Sequence, residues 1–382
     1  MVVERPALER RLLDVLEAGR IAVVLGGCAS GRTSLLMRLE HLLGDETAQY
    51  LDFGAAATTP ERCFNAVTTA SRLKPGPGAM PPAPSTPRAA FDGLMAFFDR
   101  AAAPRQRQAV FLLDDVFDIR TFENFPGLRQ VQHDLISRLS SSPAGFVLAS
   151  RFTARSHRLL RDAPARFEVV HIPPLSVPDV ELLARRFDSG RTVPHAAAVA
   201  ALSGGQAGYA HIMLEALSGL SPSADPVAAL AALFAPDSRL TARCRESYEF
   251  RLHRARGYGA LKAILGILAE DEPQNLTEIA QRLLRTPGST KDYLSWLEDV
   301  DLIAMQGKRY SYVDPLLRLY VRLYARPVPP TDAQVVHEVR TYALSRLPAL
   351  VAAAGAAAAA VAAPALDRAI DGDRPSGIIE ID

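Results

Sequence analysis

The feature that most constrains the fold is a glycine-containing turn between an apolar run and a helix-like segment, in IAVVLGGCASGRTSLLMRLEHLLG over residues 21–44. Gly26 and Gly31 flank four residues, and a basic residue and Thr33 follow, which is the spacing G-x-x-x-x-G-K-[ST] with arginine in the lysine position. Backbone amides of such a turn, and of the helix after it, bind anions because they lack partners and the helix dipole favours negative charge. The segment predicts a phosphate-binding loop formed by Gly26, Gly27, Cys28, Ala29, Ser30, Gly31, Arg32, Thr33 and Ser34.

Within this loop, Gly27 and Gly31 are expected to allow backbone conformations and close approaches that a side chain would block. The Thr33 hydroxyl is the predicted Mg²⁺ ligand, with Ser34 as the weaker candidate.

A second motif is an apolar run that ends in two adjacent carboxylates, in QAVFLLDDVFD over residues 108–118. The run is suited to a strand that is buried on both faces, so the motif has the form of a Walker B strand. Asp114 would hold Mg²⁺ through water, because this ion keeps several waters and takes few protein carboxylates. Asp115 could orient or deprotonate the attacking water beside the terminal phosphate. Together the two motifs predict a site for ATP or ADP with Mg²⁺.

Arg32 leaves two alternatives open. A guanidinium is larger and more rigid than the compact lysine ammonium of the motif, so the substitution could preserve binding and reduce turnover. The chain, however, contains 43 lysines and arginines, of which only Lys74, Lys262, Lys291 and Lys308 are lysines. The arginine could therefore reflect a general replacement of lysine at a tolerant position.

Length and composition fit a cytoplasmic protein of two to three domains. The 382 residues exceed what one core usually organises, and a net charge of +1 argues against a protein that coats nucleic acid. The three cysteines have neither C-x-x-C nor metal spacing, which predicts reduced thiols. The N-terminus has no secretory signal, and the uncharged stretch from Leu347 to Leu366 is mostly alanine, so we expect a linker and no membrane span.

Five candidate strands alternate with helical patterns, which predicts an α/β fold with a parallel sheet and a ligand at the carboxyl ends of the strands. The proline-rich stretch 74–88 is expected to be a mobile surface loop. The predicted strands are Ile21–Leu25, Gln49–Phe53, Ala109–Leu113, Phe146–Ser150 and Phe167–Ile172. The predicted domains are a core over 1–175, a helical lid over 176–235, a linker helix over 236–256, a winged helix over 257–326, a C-terminal helix over 327–350 and an Ala-rich, acidic tail over 351–382, expected to be disordered.

The winged-helix prediction rests on three helical patterns followed by a short hairpin. The second helix, LTEIAQRLL, has Thr277 as its candidate cap, and the candidate recognition helix, STKDYLSWLEDVDLI, opens at Ser289. Ile303 and Met305 precede the turn of the wing, Gln306 to Lys308, and the strand from Tyr310 returns. DNA binding through this module would use Lys291, Lys308, Arg309 and Tyr310 against phosphates, whereas Asp292, Glu298 and Asp299 oppose it, which leaves an interaction or autoinhibitory role equally open.

In this order the motifs resemble the STAND branch of the AAA+ related P-loop ATPases, and within it the archaeal-type ATPase family, over residues 5–326. The Ser150-Arg151 pair after the fourth strand and Asp314-Pro315 in YVDPLLRLYVRLY carry much of this resemblance. The resemblance implies that Arg151 senses the phosphates and that the glycine pair Gly204-Gly205 packs near adenine. Gln206 and Ala207 stand where the family has a proline.

The resemblance also implies a switch that ADP holds closed and that ATP with Mg²⁺ opens, with slow hydrolysis resetting it. Arg251, Arg254 and Arg256 are candidates for an arginine finger by position only. The partners implied are the nucleotide and another protein or a second copy of the chain. The alternatives are a nucleotide-dependent DNA-binding protein resembling origin-recognition initiators and a scaffold without catalysis.

Overall fold

The computed structural model describes residues 4–76, 78–104, 107–187, 192–253 and 257–347. The predicted tail over 351–382 lies outside the described residues, as do Arg254 and Arg256.

A parallel five-stranded sheet organises the first part of the chain. Its order in space is β2-β3-β4-β1-β5, so that β4 separates β1 from β3. All five predicted strands are found, and no strand end differs from its prediction by more than one residue. The strands are β1 (Ile21–Leu25), β2 (Ala48–Asp52), β3 (Val110–Asp114), β4 (Gly145–Ser150) and β5 (Phe167–His171).

Helices cover both faces of this sheet, which explains why its strands are continuous apolar runs. Val23 and Val24 of β1 point to different faces and belong to two separate apolar clusters. The described part of the proline-rich segment is a loop, tied by a bridge between Pro75 and Ala101, until a helix begins at Pro87. The helices are α1 (Pro6–Glu17), α2 (Arg32–Leu43), α3 (Phe53–Ala56), α4 (Pro60–Ala70), α5 (Pro87–Arg100), α6 (Val131–Ser141) and α7 (Thr153–Leu159), with a 3₁₀ helix over Val116–Asn124.

A group of helices follows the sheet and forms the lid. Gly204 and Gly205 separate two of these helices, as predicted, and both have positive φ. Gly205 also approaches the chain closely, because a Cβ there would lie 2.7 Å from Pro174. The helices are α8 (Val177–Ala184), α9 (Ala196–Ser203), α10 (Ala207–Ser218), α11 (Pro226–Leu233) and the long α12 (Arg239–His253).

The next segment has the winged-helix arrangement of three helices and a small antiparallel sheet of order β6-β8-β7. Its apolar residues belong to one cluster with those of the lid, so the two parts share a core. The elements are α13 (Tyr258–Glu270), β6 (Gln274–Asn275), α14 (Leu276–Leu283), α15 (Pro287–Asp299), β7 (Ile303–Gln306) and β8 (Arg309–Tyr312), and α16 (Pro315–Tyr324) and α17 (Asp332–Leu344) follow them.

Two predicted helix starts in this segment are wrong. Thr277 does not cap α14, because Asn275 forms a reciprocal capping box with Glu278 in which Asn275 Oδ1 accepts from the Glu278 amide at 3.0 Å. The recognition helix begins at Pro287 and not at Ser289, because proline suits the first helical turn and Thr286 supplies the cap.

The hairpin predicted as a wing is present, but Tyr310 is only 6% exposed. It packs into the core and therefore does not serve as a phosphate contact. Among the described helices, none combines the length and the apolar character that a bilayer crossing would require.

Candidate nucleotide-binding site

The loop between β1 and α2 lies at the carboxyl edge of the sheet, where its glycines have different roles. A Cβ on Gly26 would lie 2.6 Å from Ser30 Oγ, and Gly31 has a φ of +93°, so both positions require glycine. The position of Gly27 does not require glycine, because a Cβ there would meet no described atom within 4 Å and the φ of Gly27 is not positive. The special backbone conformation predicted for Gly31 is therefore found, whereas protein atoms alone give no reason for glycine at Gly27.

The N-terminus of α2 faces the cleft beside this loop. No side chain in the described part of the chain caps it, so its first amides are free to bind an anion. Ser30 is buried, and its Oγ has no hydrogen-bond partner among the described residues. The loop and the start of α2 therefore present backbone donors to a ligand.

The two predicted Mg²⁺ ligands lie together. Thr33 Oγ1 donates a hydrogen bond to Asp114 Oδ2 at 2.5 Å, and the Tyr50 hydroxyl donates to the same oxygen at 3.3 Å. Burial raises the pKa of Asp114, as does the neighbouring charge of Asp115, whereas the Thr33 hydrogen bond opposes the increase. A hydroxyl and a buried carboxylate form the oxygen-rich donor set that Mg²⁺ prefers, so these residues fit the ion.

The predicted catalytic residues Asp115 and Arg151 form an ion pair, because β3 and β4 end side by side. Burial disfavours the charged form of Arg151, but the hydrogen bond and charge of Asp115 outweigh it and raise the pKa of the guanidinium. Arg151 also lies 4.5 Å from the ring centre of Phe250.

Arg32 occupies the motif's basic position and turns back onto its own loop. Its Nη1 donates to the carbonyls of Gly26 and of Gly27, the latter at 3.0 Å, and its Nη2 lies 3.3 Å from Asp115 Oδ1. The side chain of Arg32 is thus fixed between the loop carbonyls and Asp115.

The lid closes one side of the site. The Gly208 amide donates to the Ala29 carbonyl at 2.7 Å, and a Cβ on Gly208 would lie 3.0 Å from that of Ala29. The cleft has a volume of about 480 Å³. It contains residues that no sequence motif indicated, because they are brought in only by the packing of α10 and α12, namely His211, Arg243 and Glu246.

Behind the site, the winged helix contacts the core through the turn after α15. Asp301 accepts hydrogen bonds from the amides of Thr153 and Ala154 at the start of α7, and its carbonyl accepts from Arg251 at 2.7 Å. Arg251 is only 3% exposed. It is therefore a link between α12 and the winged helix and cannot reach a neighbouring subunit as an arginine finger.

A comparison with solved structures decides the fold. The Walker-type ATPase PABY2304 of Pyrococcus abyssi superposes with a TM-score of 0.61 at 14% identity, over 84% of this chain and 96% of that one. The fold is that of a P-loop NTPase. At 14% identity, the similarity between the two chains shows the fold alone.

Two further solved structures are similar over most of this chain. ORC1 of Aeropyrum pernix in complex with DNA superposes with a TM-score of 0.45 at 15% identity, over 93% of this chain and 95% of that one. The STAND protein PH0952 of Pyrococcus horikoshii, which has a tetratricopeptide repeat sensor, superposes with a TM-score of 0.36 at 16% identity, over 93% of this chain and 48% of that one. No protein-family model matches the sequence, and neither does any curated protein.

Proposed function

We propose that this P-loop ATPase is a regulatory switch of the STAND kind that binds ATP or ADP with Mg²⁺ and hydrolyses ATP slowly. The observation that carries the proposal is the pair formed by Thr33 Oγ1 and Asp114 Oδ2, 2.5 Å apart, beside the free N-terminus of α2. This is the arrangement that a phosphate-bound Mg²⁺ requires, and residues of the lid line the same cleft.

In this proposal the loop amides hold the β-phosphate, and Thr33 and Asp114 hold the ion. Mg²⁺, when bound, neutralises charge on the phosphates. Arg151 contacts the terminal phosphate, and Asp115 orients the attacking water once the carboxylate is released from its arginines. Hydrolysis is expected to be slow, because both predicted catalytic side chains are paired with each other in the observed state.

The switch would act on the contacts that join the three parts of the chain. The lid contacts the loop through Gly208 and Ala29, and the winged helix contacts α7 through Asp301. A nucleotide changes such an arrangement only if it binds one state more tightly than the other. Opening would free these surfaces for a protein partner or a second copy of the chain.

The test is the affinity for ADP and ATP by calorimetry, with and without Mg²⁺. Thr33→Ala should remove most of the Mg²⁺-dependent part of the affinity, and Arg32→Ala should weaken binding by disordering the loop. Thr47→Ala is the matched control, because Thr47 precedes β2 at the opposite edge of the sheet. A folded protein that binds neither nucleotide would refute the proposal.

A second candidate function is duplex DNA binding through the winged helix. Lys291 and Lys308 are exposed, the latter at the tip of the wing. Arg309 is partly engaged, with its Nη1 3.7 Å from Glu278, and Asp299 at the end of α15 pairs with Arg158 of the core. Binding that falls with salt and is lost when Lys308 and Arg309 are replaced by glutamate would support this function, and no duplex binding at low salt would exclude it.

A further inference from the structure

The carboxylate of Asp115 is held by two arginines from different elements. Arg32 Nη2, at the start of α2, lies 3.3 Å from Oδ1, and Arg151 Nη2, after β4, contacts Oδ2. Asp115 and Arg32 are 9% and 8% exposed, so the charges are largely removed from water. Both carboxylate oxygens are therefore occupied by guanidinium groups on the floor of the nucleotide cleft.

The backbone holds Asp115 in this position. Its φ is +47°, in the left-handed region that aspartate tolerates better than most residues. Its amide donates to Asp114 Oδ1 at 3.0 Å, and its carbonyl accepts from Asp118 at 2.9 Å where the 3₁₀ helix begins. The turn therefore directs the carboxylate toward the two arginines.

We propose that Asp115 occupies the arginine-binding position of the terminal phosphate and makes the site selective for a nucleoside diphosphate over a triphosphate. Guanidinium groups bind carboxylates and phosphates through the same planar fork of donors. A terminal phosphate must replace Asp115 on Arg32 and Arg151, whereas a diphosphate held by the loop amides leaves both ion pairs intact. This inference rests on the proposed nucleotide function and adds its selectivity.

Displacement of Asp115 also provides a link between the ligand and the chemistry. While both of its oxygens are paired with guanidinium groups, the carboxylate is held toward the arginines and is not free to orient an attacking water. Arrival of a third phosphate would draw the arginines away and expose Asp115 beside that phosphate. The same exchange that lowers affinity for a triphosphate thus prepares the site for its hydrolysis.

The experiment compares Asp115→Asn with wild type by calorimetry, using Mg²⁺ with ADP and with the β,γ-imido analogue of ATP, which is not hydrolysed. Loss of the carboxylate charge weakens both ion pairs. We therefore expect Asp115→Asn to bind the ATP analogue at least about tenfold more tightly than wild type does, and to change the affinity for ADP by less than about threefold. Asp115→Gly is the second variant, because glycine accepts the positive φ and also removes the carboxylate.

Asp52→Asn is the matched control. Asp52 lines the same cleft, but no arginine in the described part of the chain lies within ion-pair distance of it, and asparagine preserves its cap on α3. Its loss of charge should shift both affinities by similar factors and leave their ratio within about twofold of wild type.

If Asp115→Asn changes both affinities equally, or weakens the analogue relative to ADP, the selectivity inference is wrong while nucleotide binding stands. If wild type and every folded variant bind neither ligand, the proposed function fails and the inference fails with it. The two failures are thus distinguished by whether ADP binds at all.

Discussion

The contact between the winged helix and the core can be tested at Asp301, which lies in the turn between α15 and β7. Its carboxylate accepts from the Thr153 and Ala154 amides at the N-terminus of α7, and it is 9% exposed. Its φ is +51°, which an alanine adopts at a cost and a glycine adopts freely. Substitutions at this one position therefore separate the capping interaction from the backbone conformation.

We expect Asp301→Ala to reduce the free energy of unfolding by about 3 kcal/mol, since a lost cap costs about 1–2 kcal/mol and left-handed alanine adds about 1–2 kcal/mol. Burial raises the pKa of Asp301, against the amide hydrogen bonds, so the desolvated charge offsets part of what these bonds contribute. Asp301→Gly should cost about 2 kcal/mol and Asp301→Asn about 1 kcal/mol, because asparagine retains an acceptor and tolerates the conformation.

The assay is urea denaturation followed by two signals. The chain has one tryptophan, and Trp296 lies on α15 beside the cleft between the core and the winged helix, so its fluorescence reports on this contact. Far-ultraviolet circular dichroism reports on the whole chain. In Asp301→Ala the fluorescence transition should precede the dichroism transition. Equal effects of alanine, glycine and asparagine, or coincident transitions in all variants, would refute the reasoning.

Three further predictions address other contacts. Tyr209→Phe should reduce the free energy of unfolding by about 1.5–3 kcal/mol in denaturant titrations, because the buried hydroxyl donates to Asp314 Oδ2 at 2.6 Å; an unchanged midpoint would contradict this. Iodoacetamide at neutral pH should label Cys28 before the other two cysteines, as followed by mass spectrometry, and bound ADP should slow this labelling. Burial raises the pKa of Cys28, but the charge of Arg251 acts in the opposite direction and the net shift is downward, whereas burial raises the pKa of Cys63 to about 12. Faster labelling of either other cysteine would count against this prediction. Burial and the charge of a neighbouring histidine lower the pKa of His171, so the unfolded chain binds this proton more tightly than the folded chain does. The free energy of unfolding should therefore be highest above about pH 6.5 and should decrease as the pH is lowered through that value, with a smaller decrease in His171→Gln. Denaturant midpoints that fall equally in wild type and variant would exclude this.

The sheet and the phosphate loop were predictable because their signals are local. A strand buried on both faces is an apolar run in the sequence, as in β3, and its carboxyl end places Asp114 near Thr33 once the strands are parallel. The capping box of Asn275 and Glu278 was also readable by its spacing, although a threonine inside the helix was the residue predicted.

The rest of the site depends on which helices pack over the sheet, and no local pattern records that. His211 and Arg243 lie on two lid helices whose sequences show only a general helical pattern, yet both face the cleft. Arg251 was a candidate finger by position, but its burial beside Asp301 is a property of the assembled lid and winged helix. A single sequence does not indicate which distant segments contact each other.

Arg32 is the clearest example, because one sequence interpretation treats the arginine as a larger, more rigid group that reduces turnover and the other treats it as a neutral replacement of lysine. The structure gives the guanidinium three acceptors in two directions, the Gly26 and Gly27 carbonyls on one side and Asp115 on the other. A lysine ammonium is a compact charge without the planar fork that spans such positions. Even if a general preference for arginine introduced the residue, its geometry ties the phosphate loop to Asp115. In Arg32→Lys, Asp115 would keep only its ion pair with Arg151. The substitution that restores the common motif would therefore weaken the link between the phosphate loop and Asp115.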